Sequence, residues 1–421
     1  MKTHLTLLTC AALSAIALYA GVGARLASAA PGDIYNLGTL GGTYSEGWSV
    51  NDAGQVAGAA YIPGETYRAF RYSGTPGSGG AMADLGTLAT GYSLGYGINS
   101  SGQVAGISPP SNGPLHAFRY SGTPGAGGAM VDLDPGGTFF ISYGRAINDA
   151  GQVAGYGEPA GGSNYHAFRY TGTPGSGGVM VDLGTLGGNE SRGWGINNAG
   201  QVTGWSQRTD GLTRAFLYTG TPGSGGAMFD LGTLGGLEST GLAINNAGQV
   251  TGHADTTLGF PNPHAFRYTP GPGGGMVDLG SGGGSSINDA GFVVGSDGTF
   301  PTLWQIDAAN TAVNLDEWLD ATNPTQGAYW SLRDGGASDI SNNGLVTGWG
   351  FYYPANQYRA YLLDASSLVV PEPATLALLA LGLPLLVCRN SRLSGTVGIR
   401  GGRRFVLTTP SRALALARSD P

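Results

Sequence analysis

A chain of 421 residues with 78 glycines, 11% charged residues and two cysteines, Cys10 and Cys388, cannot rest on a disulfide framework, and its 41% apolar share is too high for a disordered polar polymer. The net charge of −7 understates the acidity of its middle. Setting aside residues 1–29 and 371–421, 11 arginines stand against 25 carboxylates, a net of −14, which excludes nucleic acid as a partner because phosphate neutralisation needs clustered Lys and Arg.

Residues 1–29 carry Lys2, an apolar run from Leu5 to about Val22 and Ala27-Ser28-Ala29 as a cleavage site. This pattern predicts a secretory signal peptide and a secreted protein.

From about Ile34 to Asp364 the chain repeats. Versions of Ile147-Asn148-Asp149-Ala150-Gly151-Gln152-Val153-Ala154-Gly155 return seven times, with turn glycines at 54, 102, 151, 200, 248, 291 and 344, so that successive gaps are 48, 49, 49, 48, 43 and 53 residues. Each copy reads as a β-type residue, a polar turn and a second strand. The glycine supplies the left-handed backbone of a tight hairpin, and the asparagine is expected to bond its own backbone two residues on.

Each unit contains four strand-like runs, which predicts an all-β protein, a β-propeller of about seven four-stranded blades. The third run, His166-Ala167-Phe168-Arg169-Tyr170 and its relatives, puts Phe and Tyr on one strand face and Ala on the other, so that a large face would interlock with the small face of a neighbouring blade. In the shorter sixth unit Leu303-Trp304 is read in place of Ala-Phe. The fourth run ends in Asp-Leu-Gly or close to it at Asp84, Asp132, Asp182, Asp230 and Asp278, with Asn36 and Asn314 as variants. Tyr35-Asn36-Leu37-Gly38 precedes the first hairpin, and the last unit lacks a fourth strand. The N-terminal strand is therefore expected to complete the last blade and close the ring, an open solenoid being the alternative.

After Asp364 the composition changes to Pro371-Glu372-Pro373, an apolar run from Ala374 to Cys388 and the basic residues Arg389 and Arg392. Those 15 or so apolar residues fall short of the ~20 usually needed to span a bilayer and predict a marginal C-terminal apolar helix. The domain plan is then 1–29 signal peptide, 30–365 propeller, 366–392 sorting and anchor segment, and 393–421 a basic tail without a fold.

Two resemblances follow from these residues. The His-Ala-Phe runs at 116, 166 and 264, with Asn-x-x-Gly-x-Val and Asp-Leu-Gly around them, resemble the HAF family of bacterial extracellular repeats over most of residues 35–364. Pro371, Glu372, Pro373, the apolar run, Arg389 and Arg392 resemble a PEP-CTERM sorting signal. That resemblance implies an exosortase-type processing enzyme as partner, anchoring through the C-terminal segment, and location at the outer cell surface or outside the cell. The 29 residues after Arg392 depart from the usual form of such a signal.

Chemistry is sparse. The histidines that open the third run alternate with Arg68 and Arg214, which does not suggest metal ligands, and no metal or cofactor is expected. Asp52, Asp149 and Asp289 share a turn position with Ser100, Asn198, Asn246 and Asn343, which reads as turn chemistry. The recurrent Asp of Asp-Leu-Gly reads as a side-chain bond to loop backbone. The glycine-rich stretches between third and fourth runs read as flexible turns. Glu46, Glu190 and Glu238 could offer carboxylates for glycoside chemistry, but Leu94 and Ser142 replace them in other units.

What varies between units is the loop joining second and third runs. Its aromatics, Tyr61, Tyr67, Tyr156, Tyr165, Trp205, Phe260, Trp349, Tyr352 and Tyr353, are the candidate ligand-binding residues. The expected function is that of an exported, non-enzymatic binding or structural module at the cell surface or in an exopolysaccharide matrix. A propeller-scaffold hydrolase acting on extracellular polysaccharide and a protein-interaction module without glycan binding are the alternatives.

Overall fold

The computed structural model describes residues 30–369, apart from 76–78, 112, 258–262 and 307–308. The expected signal peptide, the sorting residues Pro371, Glu372, Pro373, Arg389 and Arg392, the C-terminal apolar helix, the basic tail and Phe260 lie outside the described residues.

Seven four-stranded antiparallel sheets make the fold. Six are consecutive hairpin meanders whose innermost strands are Ser45–Val50, Leu94–Ile98, Phe139–Ile147, Gly187–Ile196, Gly235–Ile244 and Gly283–Ile287. The seventh joins Trp330–Ile340, Leu345–Tyr352 and Gln357–Asp364 to the N-terminal strand Ile34–Asn36, with Ile34 opposite Leu363 and Asn36 opposite Tyr361. The orphan strand thus closes a seven-bladed ring, and the seventh sheet has no open edge where the chain ends.

Large faces pack on small ones around the whole ring. Phe168 and Tyr170 of blade 3 share a core with Ala105 and Ala117 of blade 2, while Ala154 and Ala167, on the opposite face, receive Phe216 and Tyr218 of blade 4. At the closure Phe70 and Tyr72 of blade 1 meet Ala360 and Leu362 of blade 7. Blade 6 corrects the sequence reading. Trp304 pairs with Val293 as Tyr72 does with Val56, so Leu303-Trp304 stands at the Arg-Tyr position and Thr302 takes the place of Phe. Asn314 keeps the place expected of it, opposite Thr302 as Asp182 is opposite Phe168. It ends the outermost strand of blade 6 and caps α1 (Leu315–Thr322), accepting from the backbone N–H groups of Asp316 and Glu317, and Leu315 and Leu319 of that helix are buried in the core between blades 6 and 7.

The turn motif does more than turn. Gly151 has φ 73°, as a left-handed residue must, and Asn148 Oδ1 accepts from the Gln152 N–H at 2.9 Å. The Asn148 amide then donates at 2.9 Å to the carbonyl of Asn197, the equivalent residue of the next blade. The same bond runs from Asn51 to Asn99, Asn99 to Asn148, Asn197 to Asn245, Asn245 to Asn288 and Asn288 to Ser341. A second circuit lies beside it. The backbone N–H of Ser100 donates to Asp149, that of Asp149 to Asn198, Asn198 to Asn246, Asn246 to Asp289, Asp289 to Asn342 and Asn342 to Asp52. Asn342, not Asn343, therefore holds the turn position in blade 7. Asn343 instead donates to the Asp52 carbonyl and joins blade 7 to blade 1.

Two further positions tie blades together. Arg71, Arg119 and Arg169, all buried, each donate to the carbonyl of the next blade's turn glycine, Gly102, Gly151 and Gly200. Ser191 Oγ accepts from the Ala167 N–H of the preceding blade and donates to the Gly184 carbonyl. The glycine-rich stretches are ordered hairpins in blades 2–4 rather than flexible turns. Gly178 must lack a side chain because the Tyr170 hydroxyl occupies the space where a methyl group would stand.

Two outcomes follow for stability. Phe168→Ala should cost about 3–5 kcal/mol and Ala167→Leu about 1–3 kcal/mol in denaturant unfolding, since one empties and the other overfills the same kind of interface; unchanged midpoints in both would refute the interlock. Asn148→Ala should cost about 1–3 kcal/mol by orphaning buried backbone groups in two blades at once. Asn148→Asp, which keeps the acceptor and loses the donor, should fall between wild type and Asn148→Ala in the same unfolding measurement.

Candidate functional site

In every blade the innermost strand slips register just before its β-branched end, between Gly47 and Ser49, Gly95 and Gly97, Gly144 and Ala146, Gly193 and Gly195, Gly241 and Ala243, Gly284 and Ser286, and Ala337 and Asp339. A bulge re-aims the extra residue. Here the extra residues are Trp48, Tyr96, Arg145, Trp194, Leu242, Ser285 and Ser338, and all seven line one cavity of about 390 Å³ in the central channel. A smaller cavity of about 190 Å³ lies on the turn side. Ile98, Ile147, Ile196, Ile244 and Ile287 line both, so they form a collar between them. The larger cavity lies on the side where the innermost strands begin, which is the face of the variable loops.

The wall of this cup is uneven. Along blades 1–4, Trp48 stacks on Tyr96 with centroids 4.8 Å apart and planes 19° apart, and the Arg145 guanidinium stands 3.8 Å from the Tyr96 centroid and 4.2 Å from that of Trp194. Burial pulls the Arg145 pKa down, opposed by its tyrosine neighbours. Along blades 5–7 the bulged residues are Leu242, Ser285 and Ser338, with Asp339 beside them. Asp339 is structurally committed. Its carboxylate accepts from Ser49 Oγ and the Val50 N–H of blade 1, Ser286 Oγ of blade 6 and its neighbour Ile340 N–H, at 2.5–2.9 Å. Burial raises its pKa against those four bonds.

The aromatics singled out from sequence stand around the mouth of the cup, mainly on strands rather than loops, because the second and third strands run further outward than the repeat suggests. Tyr61, Tyr156, Trp205, Trp349 and Tyr352 are on second strands, Tyr67 is on a third strand, and only Tyr165 and Tyr353 are on connections. The structure gathers two groups. Tyr61 and Tyr67, 4.3 Å apart, join Tyr44 and Tyr358 at the junction of blades 7 and 1. Tyr156, Tyr165 and Trp205 surround Arg192, whose guanidinium lies 5.0–5.1 Å from each ring. Tyr156 reaches Trp194 at 5.8 Å and so connects this group to the cup. Two candidates stand apart from both groups: Tyr352 packs on the buried Trp330, and Trp349 lies over Gly336. Tyr353 is exposed and connects to the first group through Phe351, which packs on Tyr358.

Sequence reasoning missed Trp48, Tyr96, Arg145, Trp194 and Arg192. The usable signal was position: two residues before the β-branched residue, a site occupied by Trp, Tyr, Arg, Trp, Leu, Ser and Ser in an otherwise repetitive frame. Of the three candidate glutamates two are engaged, and Glu238 is exposed. Glu46 accepts from Tyr44 Oη and from Trp48 Nε1, and Glu190 is paired with Arg192 at 2.7 Å.

Residues 369–392 match the family model of the PEP-CTERM protein-sorting motif, which implies processing by an exosortase and sorting to the cell surface. No curated protein matches the sequence. Among solved structures, similarity extends to TolB from Acinetobacter baumannii (11% identity, TM-score 0.38, 73% of this chain and 63% of that one). It also extends to the Aleuria aurantia lectin in complex with α-methyl-L-fucoside (12%, 0.35, 78% and 97%) and to Trypanosoma rangeli sialidase in complex with sialic acid (10%, 0.35, 86% and 59%). The chain thus spans less than two thirds of TolB, and likeness at this level carries no argument about ligand or activity.

On the outer rim the recurrent carboxylates take the expected loop bonds, Asp182 accepting from the Gly184 N–H at 2.7 Å, and add a partner on the third strand. His116, His166 and His264 each face one at 2.7–2.9 Å and Arg68 faces Asp84 at 3.9 Å, whereas in blade 4 Arg208 faces Asp230 and Arg214 donates to the Leu237 carbonyl. The hydrogen bond to Asp132 raises the His116 pKa against the opposing effect of burial. A raised folded pKa gives stabilisation that is complete below the unfolded value of about 6.5 and lost as pH rises through the folded one. Melting temperature followed from pH 5 to 9 should therefore fall less steeply above neutrality in His116→Gln than in wild type.

Proposed function

We propose that the chain is an exported, non-enzymatic binding module that holds an extracellular matrix polysaccharide on the face carrying the channel mouth. The observation that carries this reading is the continuous set of aromatic rings on that face, from Trp48 and Tyr96 through Trp194 and Tyr156 to Tyr165 and Trp205, interleaved with Arg145 and Arg192. The half-buried rings of Trp48, Tyr96, Trp194, Tyr165 and Trp205, linked through the buried Tyr156, supply flat apolar surface for sugar stacking, and the guanidinium groups supply hydrogen-bond donors at their edges. The sorting motif supports placement where such polymers lie, and the likeness of the repeats to the HAF family agrees with export. The engagement of Glu46 and Glu190 by neighbours favours binding over glycoside hydrolysis, which needs carboxylates poised on the scissile bond.

The test is co-sedimentation of the full-length protein with the extracellular polysaccharide of the producing cells, beside Trp205→Ala and Tyr165→Ala. Both variants should keep the wild-type melting temperature and lose several-fold in bound fraction. No sedimentation of the intact protein, with binding instead to purified surface proteins, would replace this reading with a protein-interaction role.

A further inference from the structure

Arg145 is a cation without a counter-ion. Arg68, Arg192 and Arg208 each face a carboxylate, yet none pairs with Arg145 among the described residues. An arginine does not shed its proton, and holding its charge away from water is costly unless something compensates. Tyr96 from the preceding blade and Trp194 from the following one flank it and offset part of that cost. Tyr96 also takes a side-chain hydrogen bond from Arg145, and the N–H groups left at the guanidinium edge are what remains for a ligand. The neighbouring Trp194 Nε1–H is shielded from solvent and has no hydrogen-bond partner among the described residues. Across the lumen, Ser285 and Ser338 are small and line the same cup, and their hydroxyls have no protein hydrogen-bond partner among the described residues.

We propose that the cup receives the terminal residue of an acidic polysaccharide, a uronic acid, with its carboxylate in the plane of the Arg145 guanidinium and its ring hydroxyls toward Ser285 and Ser338. A planar carboxylate matches the guanidinium fork. Five isoleucines line both this cup and the smaller cavity beyond it, and the ligand is taken to enter by a chain end from the loop face. This rests on the polysaccharide-binding reading and narrows it to one chemistry and one place. The net charge of −14 over residues 30–370 adds a signature. A polyuronide approaches a like-charged ring, so moderate salt should strengthen its binding, whereas a single uronate should respond little.

The experiment is titration of the full-length protein with sodium glucuronate, glucose, and a short oligouronide, read as the change in intrinsic tryptophan fluorescence, to which Trp48 and Trp194 contribute among seven tryptophans. Glucuronate and the oligouronide should saturate the signal, and glucose should bind about tenfold more weakly or worse. Arg145→Gln should abolish that preference. Ser285→Ala combined with Ser338→Ala, which leaves the aromatic wall intact, should weaken all three ligands together. If Arg145→Gln fails to fold, the serine pair and the glucuronate-to-glucose ratio of the wild type decide the matter. Absence of saturation by glucuronate, or equal binding of glucose, overturns the proposal. Sedimentation with whole polysaccharide that persists alongside either result leaves the broader reading standing, so the two can fail separately.

Discussion

The structure depends on one amide. In each of the first six blades the turn asparagine uses its carbonyl oxygen to fix its own hairpin and its NH₂ group to reach the backbone of the next blade. Asp could do the first and not the second; in blade 7 Ser341 likewise does the first, accepting from the Leu345 N–H, and the link to the next blade passes to Asn343 instead. Because each bond sets the distance between neighbouring turns, the circuit sets the bore of the channel. Everything that faces the lumen inherits that geometry.

Around this circuit the repeat separates scaffold from surface. Alanines against phenylalanines, the buried arginine and the serine latch recur because they join one blade to the next, and a change in one must be matched by its neighbour. The bulged residue before the β-branched end takes no part in those repeated links, and only some blades use it to touch a neighbour, as Trp48 does Tyr96. It points into the lumen, and its identity can differ between blades without disturbing the packing. Hence the cup is chemically lopsided inside a nearly symmetric frame, with rings and guanidinium on one arc and hydroxyls on the other.

This separation also explains what was legible in the sequence. Strand number, blade count, the closing strand and the large-on-small interfaces follow from period and alternation, which are properties of a chain read locally. The role of Asn148 was half visible: its local bond is a sequence property, whereas its reach to Asn197 exists only once blades sit side by side. Tyr61, Tyr67, Tyr156, Tyr165 and Trp205 were found by their variability, but their grouping around Tyr44 and Arg192 needed the third dimension. Arg145 was missed because strand alternation does not announce a bulge, and an arginine beside a turn reads as solvent-exposed. Trp304 was misplaced by two positions because a shortened blade offers no His-Ala-Phe to anchor the alignment.

The pairing of Ile34 with Leu363 spans 329 residues of chain. A ribosome delivers the first partner long before the second, and closure over such a distance is entropically slow. Until it happens, Phe70 and Tyr72 lack their cover on blade 7, and the strand Gln357–Asp364 has a vacant edge. Another copy's N-terminal strand fits that edge as well as the chain's own. At high local concentration the molecule is therefore disposed to exchange its first strand with a neighbour, joining two rings by the same hydrogen bonds that ordinarily seal one.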